Sequence, residues 1–225
     1  MLTNMDTHIA IACTWMGLIG SLAVGVSDIA GMGQTMPMPR YWNAPWLYFT
    51  GMSRRRIRWC MAGTLALPIA ALGYFGVYVA LRPAGLSIAL LAVVPMAFFM
   101  LVGTAVHALI TLLGDLADYS AAQGPAPAAS AVLDGFQRRA LELFSLVTRP
   151  ALVAYAIGSI VMSLVVALGE SHYPEWVALL NPFALTLALR RAFVYLPSWP
   201  FGLIRPAVVH LVHAPLLAVT LLYLS

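Results

Sequence analysis

Residues 86–113 read LSIALLAVVPMAFFMLVGTAVHALITLL and contain no Asp, Glu, Lys or Arg. A helix rises about 1.5 Å per residue, so a run of this length covers roughly 40 Å, which is more than the roughly 30 Å hydrocarbon core of a bilayer. This stretch therefore predicts a helix that crosses a membrane.

The composition of the whole chain agrees with that prediction. Of its 225 residues, 62% are hydrophobic and only 9% are charged, and the mean hydropathy is +0.89. In a soluble domain about a quarter of the residues are charged, so the composition excludes a soluble fold. Long apolar runs favour helices over a membrane barrel. We therefore expect an all-α polytopic membrane bundle that forms a single domain over residues 1–225.

Six apolar stretches are predicted as membrane spans. Their approximate bounds are 9–29, 59–81, 86–113, 150–168, 176–196 and 205–224. The fifth is the weakest, because Asn181-Pro182 interrupts it early and Arg190-Arg191 stand near its end. We expect this span to be short or partly re-entrant.

Arginine placement predicts the orientation of the spans. The chain has no lysine, and its arginines stand in short segments beside the apolar runs. If the connections after spans 1, 3 and 5 face the cytoplasm, every arginine except Arg82 faces it too: Arg40, Arg54, Arg55, Arg56, Arg58, Arg138, Arg139, Arg149, Arg190, Arg191 and Arg205. Positive residues concentrate on the cytoplasmic side of membrane proteins, so we expect both termini outside, in the bacterial inner membrane. The net charge of +4 is thereby explained without a nucleic-acid partner.

Three connecting segments have recognisable compositions. Residues 30–58 combine aromatic residues with arginines, which is typical of an interfacial loop that contacts lipid headgroups. Residues 119–130 are rich in Ala, Pro and Gln and suggest a flexible linker. Residues 133–147 place Leu133, Phe136, Leu143 and other apolar residues on one helical side, which predicts a cytoplasmic amphipathic helix leading into span 4.

Ionisable residues inside spans are costly and are therefore functional candidates. The predicted threading brings His107, His210 and His213 to one depth in the cytoplasmic half. His210 and His213 are three residues apart, so they share a helix face. Three imidazoles with one open position are the pattern of a catalytic zinc ion, which activates water. In this interpretation Asp118 or Asp28, at the inner ends of their spans, accepts the proton of that water.

A structural interpretation of the same residues stays open. Single histidines in membrane bundles are commonly hydrogen-bonded to a backbone carbonyl, and acids at span ends commonly serve as interfacial groups. Zinc is therefore expected only if the protein is a hydrolase.

The stretch His107 to Asp118, HALITLLGDLAD, resembles the His-x10-Asp segment of the alkaline ceramidase group of membrane hydrolases. The pair His210 and His213 is similar to the closing histidine pair of that group, although it is one residue closer. The resemblance implies a zinc enzyme that cleaves lipid amides, with His107, His210 and His213 as ligands and Asp118 assisting the water. The group has seven helices, and Gly103 stands where it has a serine.

A second resemblance covers much of the chain. The segment GSLAVGVSD that ends at Asp28, the arginine-rich loop, Gly63 to Tyr78 and Asn181-Pro182 look like a group of uncharacterised bacterial six-helix membrane proteins. That resemblance implies six spans and no particular activity.

Three functions remain open on the sequence. The first is a non-enzymatic membrane protein that binds a lipid or another hydrophobic small molecule, or that assists membrane assembly. The second is a zinc-dependent intramembrane hydrolase of a lipid amide or ester. The third is a proton-coupled transporter that uses Asp28 and the histidines. Beyond the lipid bilayer itself, the partner and the oligomeric state are not predicted.

Overall fold

The computed structural model describes residues 4–32, 53–123, 127–196, 201 and 203–224, and in these residues the protein is all-α. The helices are α1 (Asn4–Met32), α2 (Arg54–Leu72), α3 (Tyr74–Leu81), α4 (Leu86–Gln123), α5 (Pro127–Ala167), α6 (Pro182–Tyr195), α7 (Val208–Leu211) and α8 (His213–Leu224). Short 3-10 helices occupy Arg82–Ala84, Glu175–Leu180 and Arg205–Ala207.

Five stretches in the described residues are long and apolar enough to cross a membrane. They are Met5–Met32, Arg54–Ala84, Leu86–Leu116, Arg138–Ala167 and Arg205–Leu224. The protein is thus a multi-pass integral membrane protein. The sixth predicted crossing is not among them, because α6 has only 14 residues and a 3-10 helix precedes it. A sixth crossing stays a prediction.

The surface of the bundle is apolar, as a lipid-facing surface must be. On α1, the large side chains of Trp15, Ile19, Leu22 and Val26 are exposed, and their spacing places them on one side of the helix. The opposite side buries small and polar residues, among them Ser27 and Asp28. The exposed and buried sides are therefore reversed relative to a soluble helix.

Small residues bring α1 and α2 into backbone contact. A Cβ atom on Gly17 would lie 2.2 Å from the Cα of Gly73, and one on Gly20 would lie 2.5 Å from the backbone nitrogen of Ala70. In lipid, where no hydrophobic effect drives helices together, such close approach is the main source of packing energy. The glycines of the first span therefore fix its distance from the second.

The last span is not one continuous helix. It begins with the 3-10 helix Arg205–Ala207, continues as α7 and changes to α8 at Val212. The interruption falls between His210 and His213, and Pro215 follows in the first turn of α8. The two histidines consequently meet different neighbours.

Asn181 fixes the start of α6. Its Nδ2 donates to the carbonyl of Ser159 (3.0 Å) and to Oγ of Ser163 (2.9 Å), and its Oδ1 accepts from the backbone nitrogen of Ala184 (2.9 Å). The Asn-Pro dipeptide is thus a helix cap, with proline in the first turn, where its missing N–H costs nothing.

Two sequence predictions differ from the structure. The predicted linker over 119–130 is helical over 119–123 and again from Pro127, because alanine has the highest helix propensity and outweighs the scattered turn residues. The predicted amphipathic helix and span 4 form one helix, α5, with Pro150 inside it. The predicted aromatic loop falls largely on residues 33–52, which lie outside the described residues.

Candidate metal centre

Asp28 is the most deeply buried acid among the described side chains. It lies one turn before the end of α1 and is 1% exposed. Neither of its carboxylate oxygens has a hydrogen-bond partner in the described part of the chain. An ionised carboxylate in such a place is strongly destabilising unless a cation compensates it. An ionised Asp28 therefore requires a positively charged neighbour.

Two imidazoles approach this carboxylate from different helices. Nε2 of His107, on α4, is 3.3 Å from Oδ1, and Nε2 of His210, on α7, is 3.7 Å from Oδ2. The two rings are 5.5 Å apart at an interplanar angle of 68°. Asp28, His107 and His210 thus converge from three helices, and we call them the Asp–His–His cluster.

The geometry of the cluster fits one metal ion. One ligand atom from each residue lies within 4.8 Å of the others. Ligand atoms around a tetrahedral zinc ion with bonds of about 2.1 Å are roughly 3.4 Å apart, so a contraction of about 1 Å would complete the site. Two histidines and one carboxylate hold catalytic zinc and non-haem iron in other proteins and leave positions open for water or substrate.

Two apolar clusters enclose the site from above and below. Val24 on α1 and Met100 on α4 belong to the main core, whereas Met32 and Leu113 belong to a smaller cluster toward the helix ends. Asp28 and His107 stand between these pairs in the sequence of their helices. Along α1 and α4 the polar residues therefore lie between two apolar clusters.

The absence of a side chain at Gly63 leaves space for Ser27 and for the His107 ring. A Cβ atom there would lie 2.5 Å from Oγ of Ser27 and 3.0 Å from Nδ1 of His107. Ser27 Oγ in turn donates to the backbone carbonyl of Trp59. Helix α2 thus contributes a side-chain-free surface against which the His107 ring rests.

His213 lies outside the cluster. Its Nδ1 is 2.5 Å from the hydroxyl of Tyr74, and its Nε2 is 3.2 Å from the hydroxyl of Tyr155. Tyr155 also stacks on Phe99, with ring centroids 4.3 Å apart. Both ring nitrogens are thus engaged within the protein, in what we call the Tyr–His–Tyr cluster.

The structure therefore brings together two of the three histidines that were predicted as ligands, and adds Asp28, which was predicted as a proton acceptor. The side chain of Asp118, the other predicted acceptor, lies outside the described side chains. Sequence reasoning did not identify Gly63, Tyr74 or Tyr155. Hydroxyl-bearing residues in the middle of apolar spans were the available signal for the two tyrosines.

Arginines stand close to the cluster at the same end of the bundle. Arg190 on α6 interacts electrostatically with His210, and Arg205 begins the last span. On the other side, Nε of Arg56 donates to the carbonyl of Gly31 (2.8 Å). Three arginines thus lie at the same end of the bundle as the cluster.

A family model described as a family of unknown function, DUF6796, matches residues 5–225. The chain belongs to this family. No curated protein and no solved structure matches the chain. The DUF6796 match covers all three residues of the cluster, and the similarity to alkaline ceramidases remains an expectation from the sequence.

Proposed function

We propose that this protein is an intramembrane metalloenzyme that binds one divalent ion, zinc in the first instance, at Asp28, His107 and His210. With it the protein hydrolyses an ester or amide bond of a membrane lipid. The observation that carries the proposal is the buried Asp28 carboxylate, which has no hydrogen bond among the described residues and faces the Nε2 atoms of two histidines.

A simple ion pair is the competing explanation for the two contacts. Charge-assisted N–H···O bonds are about 2.7–2.9 Å long, whereas the two Nε2 atoms are 3.3 Å and 3.7 Å from the carboxylate. Both contacts are within ion-pair range, but ligand atoms around one metal ion would also stand at about these distances. A metal ion also supplies the charge that the buried carboxylate lacks.

The depth of the cluster supports a lipid substrate. Asp28 stands four residues before the end of α1, which is about 6 Å along the helix. His210 stands five residues after the start of the last span at Arg205. The ester and amide bonds of membrane lipids lie at the boundary between headgroups and hydrocarbon, so a site at the end of the spans meets them.

In the proposed hydrolysis, the metal ion and Asp28 have different roles. A zinc ion held by Asp28, His107 and His210 would polarise a carbonyl oxygen and lower the pKa of its bound water toward neutral pH. Water would add to the carbonyl carbon as Asp28 takes one of its protons, and the bond to the alcohol or amine would break as that proton passes from Asp28 to the leaving group. An Asp28 oxygen that is not engaged as a ligand accepts the proton of the water, as the geometry of a two-oxygen ligand allows.

The proposed threading has six crossings, with α6 and the preceding 3-10 helix as the fifth. Both termini then face away from the cytoplasm, and the cluster lies in the cytoplasmic half of the bacterial inner membrane. The one-sided distribution of the arginines supports this orientation.

Two other functions have an observation in their favour. The interruption of the last span at Val212 is typical of transporters, whose broken helices line ion sites, and it supports a proton-coupled transporter that uses Asp28. An apolar groove of about 330 Å³, lined by Tyr74, Phe75 and Leu90 among others, supports a binder of hydrophobic molecules. A binder of hydrophobic molecules does not explain why two imidazoles converge on one carboxylate, whereas a transporter would use the three groups as a proton relay.

Metal analysis tests the proposal. Protein purified without a histidine tag and supplied with zinc should contain one zinc ion per chain by mass spectrometry. Asp28→Asn, His107→Gln and His210→Gln should lose it, whereas His213→Gln and His172→Gln should keep it. Absence of stoichiometric zinc, iron or manganese from the wild-type protein contradicts the metal centre.

Activity is tested separately in nanodiscs that contain fluorogenic lipid esters and amides. Turnover that follows zinc content across these variants supports the hydrolase. Proton-coupled uptake in proteoliposomes that is lost in Asp28→Asn, without turnover, would support the transporter instead.

A further inference from the structure

An apolar groove of about 330 Å³ lies on the lipid-facing side of the hairpin formed by α2, α3 and α4. Phe75 and Leu90 in its walls are exposed. Its lining is apolar or aromatic, with Ala71, Phe75 and Tyr78 on one arm of the hairpin and Leu90, Val93 and Ala97 on the other. A groove that is open to the bilayer and lined in this way is filled by an apolar chain.

Arg82 stands at the mouth of this groove. Its Nη1 donates to the hydroxyl of Tyr78 (2.8 Å), and its guanidinium carbon lies 5.5 Å from the centre of the Tyr78 ring. Because Tyr78 lines the groove, these two contacts place the guanidinium at the end where the hairpin turns. An arginine at a helix end commonly reaches the headgroup layer in this way.

The charge of Arg82 is not neutralised by direct contact with an acid. Of the eight acids of the chain, Asp6, Glu170 and Glu175 stand at this end of the bundle, and the other five stand toward the opposite end. No acid forms an ion pair with Arg82 among the described side chains. The guanidinium, which carries five N–H donors, can therefore accept an anionic ligand.

Exposed carboxylates nevertheless lie near the mouth of the groove. The backbone nitrogen of His172 donates to the carbonyl of Ala80 (2.9 Å), so the segment that carries Glu170 packs against the last turn of α3. Glu170 and Glu175 are both exposed. A ligand with a net negative charge is disfavoured beside several carboxylates, whereas a ligand that carries both charges is not.

The length of the groove matches one leaflet of a bilayer. Ala71 is eleven residues before Arg82, which is about 16 Å along the helices. Half of the hydrocarbon core is about 15 Å thick. An acyl chain that starts at the level of Arg82 therefore runs the length of the groove and ends near the middle of the membrane.

We propose that this groove binds one acyl chain of a zwitterionic phospholipid, whose phosphate binds Arg82 and Tyr78 and whose ammonium group faces the carboxylates at that end of the bundle. The Tyr78 hydroxyl accepts from Arg82 and can still donate its own proton to a phosphate oxygen. The site is separate from the Asp–His–His cluster, because Ala97 is ten residues before His107, about 15 Å along α4. The lipid is thus a bound ligand and not the substrate of the proposed hydrolase.

The test compares three lipids with the same acyl chains on the purified full chain in detergent, by native mass spectrometry. They are dioleoylphosphatidylethanolamine, dioleoylphosphatidylglycerol and dioleoylglycerol. We expect the ethanolamine lipid to bind at least about tenfold more tightly than dioleoylglycerol, since loss of a charge-assisted hydrogen bond costs about that factor. It should also bind more tightly than the anionic phosphatidylglycerol.

Two pairs of variants locate the headgroup and the chain. Arg82→Gln should abolish the preference over dioleoylglycerol, and Arg82→Lys should keep part of it. Arg191→Gln is the matched control, because Arg191 also lies over a tyrosine ring, that of Tyr195, at 5.3 Å but does not border the groove. Ala97→Phe should fill the groove and weaken binding of all three lipids, whereas Ala12→Phe, on an exposed position of α1, should not.

Four results would overturn the proposal or part of it. Equal binding of the ethanolamine lipid and dioleoylglycerol, or a preference that survives in Arg82→Gln with unchanged thermal stability, overturns the phosphate contact. Unchanged binding in a folded Ala97→Phe variant overturns the groove as the place of the chain. Binding of phosphatidylglycerol as tight as that of the ethanolamine lipid overturns the zwitterionic headgroup. Displacement of the lipid by millimolar inorganic phosphate overturns the lipid as the source of the phosphate. None of these results changes the zinc stoichiometry, so this inference and the metal centre fail separately.

Discussion

His210 and His213 are three residues apart in the last span and are both buried, but their surroundings are opposite. His213 has a hydroxyl on each ring nitrogen, from Tyr74 and Tyr155. His210 has a carboxylate oxygen at a distance too long for a good hydrogen bond, and its Nδ1 has no partner among the described residues. An imidazole whose two ring nitrogens are hydrogen-bonded stabilises the fold. A buried imidazole with an unpaired ring nitrogen lowers stability, and its presence beside a buried carboxylate is explained if both bind a ligand.

The largest effect is expected for Asp28→Asn. The substitution should weaken zinc binding at least about hundredfold, because it removes the one anionic ligand, and outer-shell changes alone cost ten- to hundredfold. In metal-free protein the same change should raise the unfolding free energy by about 1–3 kcal/mol, because an uncompensated buried charge disappears. Zinc titration and thermal unfolding of stripped protein measure the two effects.

Opposite signs of these two effects are the signature of a ligand site. If Asp28→Asn destabilised the metal-free protein, Asp28 would be a structural partner of the two histidines. His210 would then stabilise the fold through its partner, as His213 does.

A tenfold effect is expected for Gly63→Ala. The new methyl group would collide with Ser27 and with Nδ1 of His107, at 2.5 Å and 3.0 Å, so both side chains must shift and the position of the His107 ring relative to Asp28 changes. We expect zinc affinity to fall about tenfold and stability to fall by about 1–3 kcal/mol.

Gly135→Ala is the control for this substitution. Gly135 also lies within a helix, and a Cβ there meets nothing within 4 Å, so its stability should rise by about 0.5–1 kcal/mol. Unchanged zinc affinity in Gly63→Ala would show that His107 is not held by that contact.

The smallest effects on zinc binding are expected at the Tyr–His–Tyr cluster. Tyr74→Phe removes the hydroxyl 2.5 Å from His213 and should cost about 1–3 kcal/mol, since a buried ring nitrogen loses its partner. Tyr155→Phe, at 3.2 Å, should cost less, about 1 kcal/mol. Zinc stoichiometry should stay at the wild-type value in both. Loss of zinc in Tyr74→Phe would mean that the two clusters are one site.

The sequence was sufficient for the class of the fold, an all-α membrane protein with several long apolar helices. Apolar runs such as 86–113 predict membrane helices, and counting residues from the span ends places Asp28, His107 and His210 at one level. The sequence did not predict which histidine of the last span faces Asp28. His210 and His213 share a face on a regular helix, but the helix is interrupted at Val212, and the packing of α1 and α4 decides which histidine meets Asp28. Close contacts such as that of Gly63 with Ser27 and His107 depend on the packing of several helices, so they cannot be predicted from any single segment of the sequence.

The backbone contact between Gly17 and Gly73 also limits how α1 can move. Because two main chains touch there, a tilt of α1 about this point would displace Asp28. Asp28 is eleven residues away, a lever arm of about 16 Å. A tilt of about 5° would displace the Asp28 carboxylate by roughly 1.4 Å over that arm. A change in bilayer thickness or lateral pressure that tilts α1 would thus change the distances from the Asp28 carboxylate to His107 and His210.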